Sequence, residues 1–77
     1  MNKREAQEVS SKVVALLKNE RIKQGISQYK LAKDISMSKS SISYIENHVQ
    51  QPSLYTIILI ADYLHVKLNK IFKDIEK

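Results

Sequence analysis

The chain has 77 residues, a formal net charge of +5, one glycine, one proline and no cysteine. That length makes one domain, able to bury only about 60% of its unfolded surface. Disulfides and cysteine–zinc sites are excluded, two histidines are too few for a metal centre, and no apolar run approaches a membrane span. The opening MNKREAQEVSS is charged and has no apolar stretch, which does not fit a secretion signal, so a cytoplasmic protein is expected.

Charge is uneven along the chain. Residues 1–26 carry six basic and three acidic side chains, residues 27–51 three and two, and residues 52–77 four and three. The balance favours a polyanionic partner without identifying one.

A first helix is expected over residues 2–24, with Ala6, Val9, Val13, Leu16, Leu17 and Glu20 along one face. Ser10–Ser11 is a point where it can break, leaving a helix from about Lys12 and residues 1–10 as either a frayed terminus or a helical extension. Gly25 ends it, where a left-handed cap is favoured.

A second helix over residues 28–35 sets Leu31, Ala32 and Ile35 on one face. A tight turn at Ser36–Met37 leads to a third helix over residues 39–46. Ile42 and Ile45 form its single apolar edge. At about 100° per residue, Lys39, Ser40, Ser43, Tyr44 and Asn47 fan out away from that edge. Ser27 and Ser38 stand where a hydroxyl accepts from first-turn N–H groups, and neither has the Glu or Gln three residues later that makes a capping box. So short a helix, with little to bury and much hydrogen-bonding capacity, suggests a reading head for DNA.

Pro52 closes the loop at residues 48–51, and Ser53 caps a fourth helix over residues 54–64. Ile57, Ile60, Ala61 and Leu64 make its inward stripe. Tyr55, Ile58, Leu59 and Tyr63 add apolar surface elsewhere, more than a monomer this small needs. His65 stands at the cap position and Val66 leads into a fifth helix over residues 67–75. There Leu68, Ile71, Phe72 and Ile75 follow i, i+3, i+4 and i+7. A homodimer is expected, with Tyr55, Ile58, Leu59, Leu68 and Ile75 at its interface.

Ser27–Lys30 and Ser36–Lys39 match S-x-x-K, the spacing that sets a lysine beside a nucleophilic serine in penicillin-binding enzymes. That chemistry needs companion motifs and a larger domain. With no paired carboxylates, glycine-rich phosphate loop or metal-spaced cluster, no catalytic residue, metal, cofactor or small-molecule ligand is expected.

The ordered set Ser27, Gln28, Leu31, Ala32, then Ser36, Ser38, Ile42, Ser43 and Glu46 resembles the phage repressor and Cro type of helix-turn-helix. Leu17 and Arg21 before it fit that pattern. So do Pro52–Ser53, Ile60–Ala61, Leu64, Val66 and Phe72 after it. The resemblance covers residues 13–73 and implies an all-α, compact five-helix, lambda-repressor-like domain spanning residues 1–77. It implies base-edge contacts from Lys39, Ser40 and Tyr44, and backbone or mixed contacts from Gln28, Ser38, Ser43 and Asn47. It also implies an ion pair of Arg21 with Glu46. Ser36 and His48 depart from the family, which often has glycine at both places. A stand-alone domain of this size is similar to Cro-like repressors, restriction-modification controller proteins or antitoxin-type regulators, so the expected partner is double-stranded DNA. The alternatives are a protein-binding module that keeps the fold and, for residues 1–10, a basic arm on DNA.

Overall fold

The computed structural model describes residues 1–75 and contains five helices: α1 (Lys3–Lys23), α2 (Gln28–Asp34), α3 (Lys39–Glu46), α4 (Leu54–Tyr63) and α5 (Leu68–Ile75). α1 is unbroken through Ser10–Ser11. A capping box explains its early start: Asn2 Oδ1 accepts from the Glu5 N–H at 2.8 Å, and the Asn2 N–H donates to Glu5 Oε1 at 3.2 Å. Two donors that the first turn would leave open are thereby satisfied. Ser27, Ser38 and Ser53 cap α2, α3 and α4, accepting from the N–H groups of Lys30, Ser41 and Thr56.

The first four helices end in the same way. After α1, the Gly25 N–H donates to the Ile22 carbonyl and the Ile26 N–H to the Arg21 carbonyl. The same two bonds recur at Ser36 and Met37, at His48 and Val49, and at His65 and Val66. Each is a Schellman cap, whose first residue must be left-handed. The φ angles are 71° at Gly25, 59° at Ser36, 61° at His48 and 60° at His65. Only the first is glycine, so each of the other three carries strain of about 1–2 kcal/mol. Ser36 and His48 therefore take the conformation that glycine would have made easy.

The core is built from Val13, Val14 and Leu17 of α1, Leu31 and Ala32 of α2, and Ile42 and Ile45 of α3. Ile57, Ile60 and Ala61 of α4, Leu64 just after it, and Ile71 of α5 complete it. α1 packs against α3, α4 and α5, while α2 packs against α3. Fully burying a side chain such as Leu31, Ile42 or Leu64 contributes about 1.5–3 kcal/mol.

The buried stripe of α1 is Val13, Val14, Leu17 and Arg21, displaced from the expected one. Leu16 is exposed, and Val14 lies inside. Apolar periodicity admitted both registers; α3 selects one by lodging Ile42, Ile45 and Glu46 beside Val14 and Leu17. On α5, Ile71 is buried and Leu68 and Ile75 pack partly on the core, but Phe72 is turned outward. Among the described residues, no helix is long and apolar enough to cross a membrane.

Candidate nucleic-acid interface

The inner side of α3 carries a charge into the interior. Arg21 reaches Glu46 side-on, Nε donating to Oε2 at 2.7 Å and Nη2 to Oε1 at 2.8 Å. Arg21 Nη1 also donates to the Ile26 carbonyl at 2.7 Å, and Gln28 Nε2 donates to Glu46 Oε1 at 3.0 Å. The two charged side chains are only 9% and 7% exposed. Burial alone would push the Glu46 carboxyl up. The hydrogen bonds from Arg21 and Gln28, with the positive charges of Arg21 and Lys18, outweigh it and hold the carboxyl below its ordinary range. Among the described residues, every buried polar side-chain atom has a partner. The end of α3 is thus fastened to α1 by two bonds and to the start of α2 by a third.

The outer side of α3 divides into engaged and unengaged groups. Ser38 Oγ accepts from the Ser41 N–H and donates to Ser41 Oγ at 2.8 Å. Asn47 Nδ2 donates to Ser43 Oγ at 3.3 Å. Gln28, half-buried, gives one amide hydrogen to Glu46 and retains a second. Lys39, Ser40 and Tyr44 take no part in these bonds and are exposed, Tyr44 by 51%. The structure therefore brings Lys39, Ser40, Ser43, Tyr44 and Asn47 together on one helix, above a back locked by Glu46.

α2 contributes features that sequence reasoning missed. Tyr29 lies beside Gln28 and is 62% exposed. Lys30 Nζ and the Tyr63 hydroxyl both meet Asp34 Oδ2, at 2.8 and 2.5 Å. The Lys30 hydrogen bond, then that of Tyr63, holds the Asp34 carboxyl below its usual range. Tyr63 is thus committed within the chain, packed on the core and tied to α2, rather than left over as spare apolar surface. The aromatic ring suggested a surface contact; its hydroxyl, matched to a carboxylate distant in sequence, gave no local signal.

Among the residues expected between subunits, Tyr55 and Ile58 are exposed, Leu59 is half-buried, and Leu68 and Ile75 spend part of their surface on the core. Leu54 joins Tyr55 and Ile58 on the outside of α4. The loop after α3 exposes Val49.

A helix-turn-helix family model matches residues 17–71, from the middle of α1 into α5. No curated protein and no solved structure matches the chain.

Proposed function

The chain belongs to the Cro/C1-type helix-turn-helix family of DNA-binding domains, and from that premise we propose that it is a homodimeric transcriptional regulator reading a near-palindromic duplex operator. One observation carries the reading. The side chains of α3 that can address a base edge are exposed and unengaged, while the far side of the same helix is fixed by a buried bidentate ion pair. A probe whose aim matters is held in this way, with a rigid back and an open front.

In this reading α3 lies in the major groove. Lys39 donates to guanine O6 or N7, Ser40 donates or accepts, and Tyr44 offers its hydroxyl or its ring edge to a thymine methyl. Gln28, Ser38, Ser43 and Asn47 meet the backbone or act in both ways, setting register rather than sequence. The near-neutral balance of residues 27–51 agrees with this division, because base reading relies on hydrogen bonds more than on net charge. Tyr55, Ile58 and Leu59, with the outer surfaces of Leu68 and Ile75, form the two-fold contact. A symmetric pair sets its reading helices about one DNA turn apart, which calls for a near-palindrome. Position relative to a promoter then decides repression or activation. In this reading the protein works in the cytoplasm, without catalysis, cofactor or small-molecule ligand.

The test is duplex binding by fluorescence anisotropy across a salt series. Counterion release makes the affinity fall steeply and linearly on logarithmic axes. A second reading, a protein-binding module, draws on the exposure of Leu54, Tyr55 and Ile58 along α4. It predicts weak duplex binding even at low salt.

A further inference from the structure

The first four helices share one cap, but only three of those caps are anchored in the same way. A Schellman cap is commonly secured by an apolar residue just beyond the left-handed position, folded back onto the helix. Ile26, Met37 and Val66 occupy that position after α1, α2 and α4, and all three pack against the core. Val49 occupies it after α3 and is 74% exposed. The loop that leaves the reading helix therefore lacks the apolar anchor that its three counterparts have.

A polar attachment stands nearby. Gln51 reaches the N-terminal half of α1, where its Oε1 accepts from Ser10 Oγ at 3.0 Å and its Nε2 donates to Gln7 Oε1. Gln7 and Ser10 are three residues apart and so share a helix face. His48, Gln50 and Pro52 line the same small cleft as Gln7, Ser10 and Val14. The part of α1 that supplies these partners, residues 3–16, lies before the region matched by the family model. Between the two anchored ends, the Val49 and Gln50 N–H groups both donate to the Tyr44 carbonyl, so the loop backbone is hydrogen-bonded to α3 itself.

We propose that Gln51 is a positioning residue for DNA recognition: clamped to Gln7 and Ser10 of α1, it replaces the missing apolar anchor and fixes the loop that carries Asn47, His48 and Val49 beside the reading helix. This rests on the DNA-binding reading above. It gives the N-terminal half of α1 a task in recognition without contact to DNA, and it leaves Val49 facing outward, where an apolar group can meet a thymine methyl or a sugar.

The test uses the full chain with Gln51→Ala, Gln7→Ala and their combination. Alanine is the best helix former, so Gln7→Ala leaves α1 intact, and circular dichroism checks it. Amide hydrogen exchange at Val49 and Gln50 reads the loop in the free protein. Anisotropy reads binding to a duplex recovered by selection from a random library. Faster exchange at both amides is expected in each variant. A roughly three- to tenfold loss of affinity should accompany it, the factor that one or two hydrogen bonds can supply. The double variant should lose no more than Gln51→Ala alone, which already removes both bonds of the clamp, whereas Gln7→Ala leaves the Ser10 bond and should lose less. Unchanged exchange overturns the clamp. Faster exchange with unchanged affinity shows a clamp that positions nothing for DNA and overturns the proposal. If the wild type selects no duplex while the variants exchange faster, the DNA-binding reading fails and the proposal built on it falls with it, the clamp surviving as scaffold alone.

Discussion

Replacing Glu46 by glutamine changes one atom of a buried side chain and leaves its shape intact. In the wild type, Glu46 accepts two hydrogen bonds from Arg21 and one from Gln28. A glutamine has one acceptor oxygen. In either orientation its amide nitrogen must face a donor, the Arg21 Nε–H alone or the Arg21 Nη2–H together with the Gln28 amide. Arg21 would also be left buried with its charge uncompensated, which typically costs about 3–5 kcal/mol. The remaining bond from Arg21 Nη1 to the Ile26 carbonyl offsets part of this, and we expect a loss of about 3 kcal/mol. A chain of this length has a total stability of roughly 4–12 kcal/mol. The melting temperature should then fall by about 12–24 °C. Urea and thermal unfolding followed by circular dichroism measure both. Arg21→Met combined with Glu46→Leu should be less destabilising than the two single losses added together. A loss below about 1 kcal/mol, as for an exposed pair, would refute the argument that this pair is a buried lock.

The same pair sets a pH dependence. The folded Glu46 carboxyl lies below its ordinary value, so the unfolded chain binds the proton first as pH falls. Its contribution is fully present above the ordinary value of about 4.3 and fades as pH drops through the lower folded value. The stability gap between wild type and Glu46→Gln should therefore narrow below about pH 4. A gap that is flat or widens on acidification would contradict the assignment.

Three further predictions follow from other parts of the molecule. His65→Gly relieves left-handed strain at the end of α4 and should raise stability in urea by about 0.5–1 kcal/mol, after the entropy that glycine adds to the unfolded chain; a loss would mean that the imidazole itself supports the cap. Ile58→Glu alters a side chain already 42% exposed, so the domain should stay folded while sedimentation shifts to monomer and operator binding weakens; an unchanged mass would place the subunit contact elsewhere. Lys39→Ala should cost about 1–3 kcal/mol on the preferred duplex and relax selectivity at one position, whereas equal losses on preferred and random DNA would assign Lys39 to a phosphate.

Much of this fold was legible because its local signals agree. Serine before an apolar run placed the starts of α2, α3 and α4, and 3–4 spacing gave the stripes of Ile42 with Ile45 and of Ile57, Ile60 and Leu64. The early start of α1 was legible too: the helix expected over residues 2–24 runs from Lys3 to Lys23, held by the Asn2-x-x-Glu5 capping box and unbroken at Ser10–Ser11. The left-handed conformation at Ser36, His48 and His65 was less legible, although the first two stand where the family often has glycine and the third at a cap position. Residue preference argues against that conformation; the two returning hydrogen bonds override it at all three, joined by a flanking apolar contact at Ser36 and His65 only. The burial of Arg21 and Glu46 could be expected only from family likeness, since nothing local distinguishes them from surface charges. The links of Tyr63 to Asp34, and of Gln51 to Gln7 and Ser10, join residues far apart in sequence. Pairings of that kind leave no trace in periodicity or capping. At the interface, the sequence pattern set Lys39, Ser40 and Tyr44 apart from the apolar edge of α3. The packing adds that, among the described residues, the Ser38 and Ser43 side chains already have hydrogen-bond partners, whereas those of the other three have none.

The central claim, that this domain reads duplex DNA with α3 as a two-fold dimer, is tested most directly by selecting bound duplexes from a random library with the purified protein at moderate salt. The account predicts an enriched near-palindrome whose half-sites lie about one helical turn apart. A folded protein that enriches no sequence, or enriches one unrepeated half-site, would contradict it.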